Sequence, residues 1–93
     1  MQIRYEAEHC RSAAYDGEKR IGVAEFDAQD GRWSITHTEV DSAYGGQGIA
    51  RRLIEELIEA ARSNGAKIVP VCSYAEKMMS GKAVYRDVLA DAT

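Results

Sequence analysis

Between positions 37 and 50 the chain reads His-Thr-Glu-Val-Asp-Ser-Ala-Tyr-Gly-Gly-Gln-Gly-Ile-Ala. Gly45, Gly46 and Gly48 permit positive φ and let a ligand approach the main chain with no Cβ in the way. A glycine turn that opens a helix aims several backbone N–H groups at one point. It also sets them at the positive end of the helix dipole, where phosphate binds well. No Lys-Ser/Thr pair follows the glycines, so this is not a Walker-type loop. The spacing is not G-x-G-x-x-G either, so a dinucleotide fold is not indicated. A tight corner with no ligand is the bland alternative. His37 and Glu39 lie two apart on an extended run and share a face. Either could act as a base; pairing with one another for structure alone, or a satisfied core histidine, are the other readings. Asp41 reads as a loop cap. Cys72 precedes Ser73 at the head of a helix, a position that favours a thiolate; otherwise it is a small buried hydrophobe.

These residues need elements to hold them. Ile3 and Tyr5 alternate with polar neighbours, and Ser12–Tyr15 is a short extended run closed by the turn signal Asp16-Gly17. Residues 20–26 follow as a strand, then Asp30-Gly31 marks a second turn. Residues 32–40 alternate, with Trp33, Ile35, His37 and Glu39 on one face and Ser34, Thr36, Thr38 and Val40 on the other. The period then changes. Ile49, Leu53, Leu57 and Ala61, with Ala50, Ile54 and Ile58, form one apolar stripe, while Arg51, Arg52, Glu55, Glu56, Glu59 and Arg62 take the other side. Arg51–Glu55 and Arg52–Glu56 are spaced to pair. Gly65 suits a left-handed helix cap. Residues 66–72 form an apolar strand, and a strand-helix-strand order implies a parallel pairing. Pro70 marks an edge, a bulge or a parting of strands. Ser73-Tyr74-Ala75-Glu76 is a capping-box pattern that starts a short helix. Lys82–Ala90 reads as a last helix packing Val84, Val88 and Leu89, and Met78 and Met79 as gap fillers.

Ninety-three residues bound the chain to one domain, 1–93, with a modest core. A hydrophobic fraction of 45% and one Pro argue for an ordered globule. A net charge of −3 from 12 basic and 15 acidic residues excludes the basic surface a nucleic-acid binder needs. Arg51-Arg52, the one basic cluster, is either two solvated residues or an attraction for a polyanion at the turn. No apolar run approaches the ~20 residues that span a bilayer, and the polar N-terminus is not a signal peptide. Two cysteines without metal spacing, His9 beside Cys10 on an extended run, and His37 without a second ligand point to a reduced, cytoplasmic protein with no metal site.

Val40 through Ala50 resembles motif A of the GNAT superfamily of acyl-CoA-dependent N-acetyltransferases, written Arg/Gln-x-x-Gly-x-Gly/Ala. Gly48 and Ala50 match its last two fixed positions. Gly45 stands where the family has Arg or Gln, which removes a side chain that helps shape the loop. His37-Thr38-Glu39-Val40 and Pro70-Val71-Cys72-Ser73-Tyr74 are similar to a compact GNAT-like subfamily of about this length, and the likeness spans residues 10–90. It implies acetyl-CoA as co-substrate. The pyrophosphate would lie on the amides of Gly46, Gln47, Gly48, Ile49 and Ala50, and the pantetheine arm along the strand ending at Val40. The strand 67–72 would splay from 32–40 and leave a slot for the thioester. Cys72 would take the acetyl group, line the slot or stay inert. Tyr74 would be the acid for the leaving thiolate, or a half-buried aromatic with its hydroxyl in water. His37 or Glu39 would deprotonate the amine.

The expected fold is therefore α/β: a mostly antiparallel mixed sheet of four or five strands, one main helix after the glycine turn, and short C-terminal helices, a minimal acyl-CoA N-acyltransferase fold. The expected function is acetyl-CoA binding with acetyl transfer to an unidentified amine. The alternatives are a non-catalytic acyl-CoA-binding module or a small interaction domain. The helical segment that in the superfamily follows the first strand has no room between residues 15 and 20. That shortage favours the binding module, or an open acceptor site suited to a protein or peptide amine.

Overall fold

A computed structural model describes residues 1–90; the last three residues of the expected domain lie outside it. Strands β1 (Gln2–Glu6), β2 (Arg11–Asp16), β3 (Lys19–Gln29) and β4 (Arg32–Val40) form an antiparallel meander. Helix α1 (Ile49–Asn64) follows, and β5 (Lys67–Pro70) returns parallel to β4. The sheet order is β1-β2-β3-β4-β5, as the two Asp-Gly turns and the strand-helix-strand order imply. Asp30 and Gly31 both have positive φ, which suits a tight hairpin. Helix α2 (Ser73–Met79) and a 3-10 turn at Ala83–Tyr85 complete the chain. No helix of the described residues is long and apolar enough to cross a membrane.

Helix α1 lies across all five strands on one face of the sheet. Its apolar stripe buries Ile49, Leu53, Ile54, Leu57 and Ile58 against Ala14, Ala24, Phe26 and Ile35. Each such side chain contributes about 1.5–3 kcal/mol, so this one face anchors the fold. Two small residues let the helix sit close. Ser12, fully buried, donates through Oγ to Leu53 O at 2.7 Å. A Cβ on Gly22 would meet Glu39 O and Leu53 Cδ1, both at 3.2 Å. Gly65 ends α1 in the left-handed conformation, as expected, and donates to Ala61 O and Arg62 O.

Three expectations need correction. The alternation along β4 is broken, because a bulge shifts the register between Glu25 and Phe26. Glu25 pairs with His37 and Phe26 with Ile35, so Thr36 is the extra residue. Trp33 and Ile35 therefore face α1, as do Thr38 and Val40, which pair with Ala24 and Gly22. His37 and Glu39 point to the opposite face. Next, Lys82–Ala90 is not a helix. After the 3-10 turn the chain extends along the free edge of β5, where Ile68 N–H donates to Val88 O and Ala90 N–H to Ile68 O. Two main-chain bonds to the sheet outweigh a short isolated helix. Val88 is buried there, but Val84 is 66% exposed. Arg62 pins this segment through a two-pronged contact with Asp87, at 2.9 and 3.0 Å, and a bond to Val84 O. Lastly, His9 and Cys10 do not lie on a strand; Ala7–His9 is a 3-10 turn capped by left-handed Cys10.

The face opposite α1 carries polar side chains. There Glu6 accepts from Arg11 at 2.7 Å and from Tyr15 Oη at 2.5 Å. The Tyr15 bond, aided by Arg11, holds the Glu6 carboxyl below its ordinary value of 4.5 against the opposing effect of burial. A depressed carboxylate stabilises the fold fully above that ordinary value and loses its contribution as pH falls through the lowered one. Melting temperatures of wild type and Glu6→Gln should therefore differ most above pH 4.5 and converge in acid. A gap independent of pH would show that ionised Glu6 contributes nothing.

Candidate functional site

The turn between β4 and α1 builds itself from short-range bonds. Asp41 N–H donates to Ile21 O on β3 at 2.8 Å, ending the strand. The Asp41 carboxylate then accepts from Ala43 N–H at 2.9 Å, the loop cap its position suggests. A 3-10 turn at Ser42–Tyr44 follows, and Gly45 N–H donates back to Ser42 O. Gly46 and Gly48 have φ of 78° and 73°, and a Cβ on either would meet nothing within 4 Å. Main-chain conformation, not crowding, requires glycine there. Gly45 differs: its φ is −63°, so it does not use the freedom its type allows, and its N–H is already taken.

The next main-chain donor with a partner is Arg52, to Gly48 O. The N–H groups of residues 46–51 find none among the described residues. They belong to an exposed loop and the first turn of a 16-residue helix. Such a run of free donors at the positive end of α1 fits a pyrophosphate. Arg51 and Arg52 are exposed beside it. Arg51 reaches Glu55 at 3.4 Å, while the Arg52–Glu56 pair is absent among the described residues.

Pro70 stands at the end of the β4–β5 pairing, which leaves a gap beside residues 38–40 of β4. Pairing of β4 with β5 stops at Ile35–Pro70, where Val71 and Cys72 N–H converge on Ile35 O at 3.1 and 2.9 Å. Main-chain groups alternate sides along a strand. Because Asp41 N–H points to β3, those of Thr38 and Val40 point into the gap. Cys72 sits at the root of the gap. Its Sγ accepts from Ala75 N–H at 3.4 Å and lies 3.4 Å from Thr38 Oγ1. Cys72, not Ser73, is thus the N-cap of α2, a correction to the capping-box reading. The chain turns at Cys72 because both its N–H and that of Val71 are spent on one carbonyl. Tyr74 is 43% exposed, and its hydroxyl has no partner among the described residues.

His37 Nε2 and Glu39 Oε1 are 3.3 Å apart, with side chains 52% and 73% exposed. They line a shallow concavity of about 400 Å³ on the open face, with Arg11, Val23, Glu25 and Asp41 among the other walls. The fold thus brings His37 to Glu39, and Val40 ends the strand that leads into the turn. The fold also brings Cys72 to Thr38, while the bulge turns His37 and Glu39 to the other face of β4. Two contributors escaped the sequence reading. Thr38 was hidden by the bulge. Tyr44, whose hydroxyl donates to Asp16 Oδ2 at 2.5 Å, lies 28 positions from its partner, and no local pattern joins them.

A family model described as GCN5-related N-acetyl-transferase matches residues 10–88. Among solved structures, the chain is similar to a GCN5-like candidate N-acetyltransferase from Staphylococcus aureus, determined by solution NMR. Identity is 26% and the TM-score 0.76, over 99% of this chain and 90% of that one. It also shares its fold with the ribosomal-protein-S18-alanine N-acetyltransferase from Escherichia coli. There identity is 21% and the TM-score 0.61, over 73% of this chain and 46% of that one. No curated protein matches.

Proposed function

The chain belongs to the GCN5-related N-acetyltransferase family and is a transferase of that kind, and from this premise we propose that it moves an acetyl group from acetyl-CoA to an amine on a protein or peptide. The free N–H run at residues 46–51 carries the reading. Gly46, Gln47, Gly48, Ile49 and Ala50 hold the pyrophosphate through main chain, and Gly45, whose N–H is spent on Ser42 O, contributes the approach to the turn. Arg51 and Arg52 add positive charge beside it. Pantetheine runs along Thr38 and Val40, whose main-chain groups are free of β5. The thioester then lies in the splay near Cys72.

The acceptor enters from the open face, where His37 and Glu39 wait. The amine nitrogen attacks the thioester carbonyl carbon; a C–N bond forms and the C–S bond breaks. The amine proton passes to the His37–Glu39 pair, directly or through water. The departing thiolate takes a proton from Tyr74, whose exposed hydroxyl is free to supply it. A shallow, uncovered concavity suits an amine carried on a chain better than a small molecule that needs enclosure.

Cys72 lines the slot and caps α2. Its Sγ already accepts from Ala75 N–H, which argues for a fixed position over a covalent role. Incubation with acetyl-CoA alone should add no acetyl mass to Cys72. Cys72→Ala should lose up to about 1 kcal/mol from the missing cap and keep its turnover. An acetylated Cys72 that forms and decays at the rate of turnover would overturn this assignment.

The test of the whole reading is a calorimetric titration with acetyl-CoA, with desulfo-CoA in parallel. One site per chain for both ligands is expected. No binding at millimolar concentration would reject it. Binding without turnover on any peptide amine would leave an acyl-CoA-binding module.

A further inference from the structure

We infer that Tyr44 is a positioning residue that holds the phosphate-binding turn in its binding shape by anchoring it to the β2–β3 hairpin through Asp16. The inference rests on the acetyl-CoA site proposed above. Three of the four residues from 45 to 48 are glycine, so ordering this turn costs more conformational entropy than usual. Little else restrains it. Between Ser42 and Gln47 the only hydrogen bond to a helix or strand, among the described residues, is Tyr44 Oη to Asp16 Oδ2 at 2.5 Å. The ring itself packs against the edge of the core. Below the anchor, Tyr44 N–H donates to Asp41 O and Gly45 N–H to Ser42 O. The tie thus passes straight into the first glycine.

Asp16 is itself held, because it pairs with Lys19 across the hairpin. Two elements far apart in sequence thereby fix the free donors of residues 46–51 relative to β3 and α1. A turn ordered before ligand arrives saves that ordering at binding, so the contact should show in affinity rather than in chemistry.

Tyr44→Phe keeps the ring and removes the bond. Its acetyl-CoA Kd should rise about five- to tenfold, with kcat at saturating acetyl-CoA unchanged and the KM for acetyl-CoA raised in step. Asp16→Ala should match it, and the double variant should be no worse than either single one. Asp16→Asn, which retains a carbonyl acceptor, should restore most of the affinity. Amide hydrogen exchange at Tyr44 and Gly45, whose N–H groups are bonded to Asp41 O and Ser42 O, should quicken in Tyr44→Phe and in Asp16→Ala and stay near the wild-type rate in Asp16→Asn. That exchange readout stands even if wild type binds no acetyl-CoA, which would reject the proposed site alone. Unchanged exchange and unchanged Kd in Tyr44→Phe would overturn the inference, as would a fall in kcat with Kd unaltered.

Discussion

Gly48→Glu is expected to weaken acetyl-CoA binding at least a hundredfold, while Gly48→Asn weakens it far less. Gly48 is the N-cap of α1 with φ of 73° and open space where a Cβ would project. A Glu there pays the left-handed strain of an L residue, about 1–2 kcal/mol. Asn tolerates that conformation better, so the pair of variants separates strain from charge. The carboxylate also sits at the positive end of the helix, where it stabilises the ligand-free fold. It therefore occupies as an internal anion the position assigned to the pyrophosphate. Two unit charges 4 Å apart near a protein surface repel by about 4 kcal/mol, more than the hundredfold loss requires. Calorimetry on both variants decides the matter. Wild-type affinity in Gly48→Glu would show that the pyrophosphate lies elsewhere.

The second large effect concerns the base. Glu39→Gln and His37→Gln should each lower kcat about a hundredfold and leave the Kd for acetyl-CoA unchanged, because neither side chain faces the gap. Both are fixed by one bulge and bonded to one another, so they act as a unit. The double variant should then fall little below the worse single one. Glu25→Gln, opposite His37 on β3, serves as a control for charge on the same concavity. A rate that survives both substitutions at 37 and 39 would move the proton to bulk water and reduce the pair to a surface contact.

Much of this site was legible before any fold was known. Asp-Gly dipeptides placed the hairpins, since few residues accept a left-handed turn conformation. The change from a two-residue to a 3.6-residue period at Ile49 placed α1 and its buried face. The glycines of the turn, set between a strand and a helix, pointed to the run of free main-chain donors at residues 46–51 through geometry that is local to a dozen residues. Pro70, read as an edge, a bulge or a parting of strands because it cannot donate to a ladder, stands where the β4–β5 pairing ends.

The rest depended on contacts between distant positions. Alternation along Trp33-Ser34-Ile35-Thr36-His37-Thr38-Glu39-Val40 shows no defect, and threonines suit either face. With the bulge, both Phe26–Ile35 and Ala24–Thr38 pair across the two strands on the α1 side. Its consequence is large, since one extra residue moves His37 and Glu39 to the opposite face. The last segment followed the same logic. A helical pattern yielded to an open strand edge that offered bonds at Ile68. The sequence by itself thus determined the order of the main elements and the glycine turn that opens α1. Only the tertiary structure decided which face of β4 bears His37 and Glu39, that Cys72 caps α2 beside Thr38, and that the Tyr44 hydroxyl bonds Asp16. The first set follows from backbone preferences within a few residues. The second follows from packing across the sheet, where residues far apart in the chain compete for the same space.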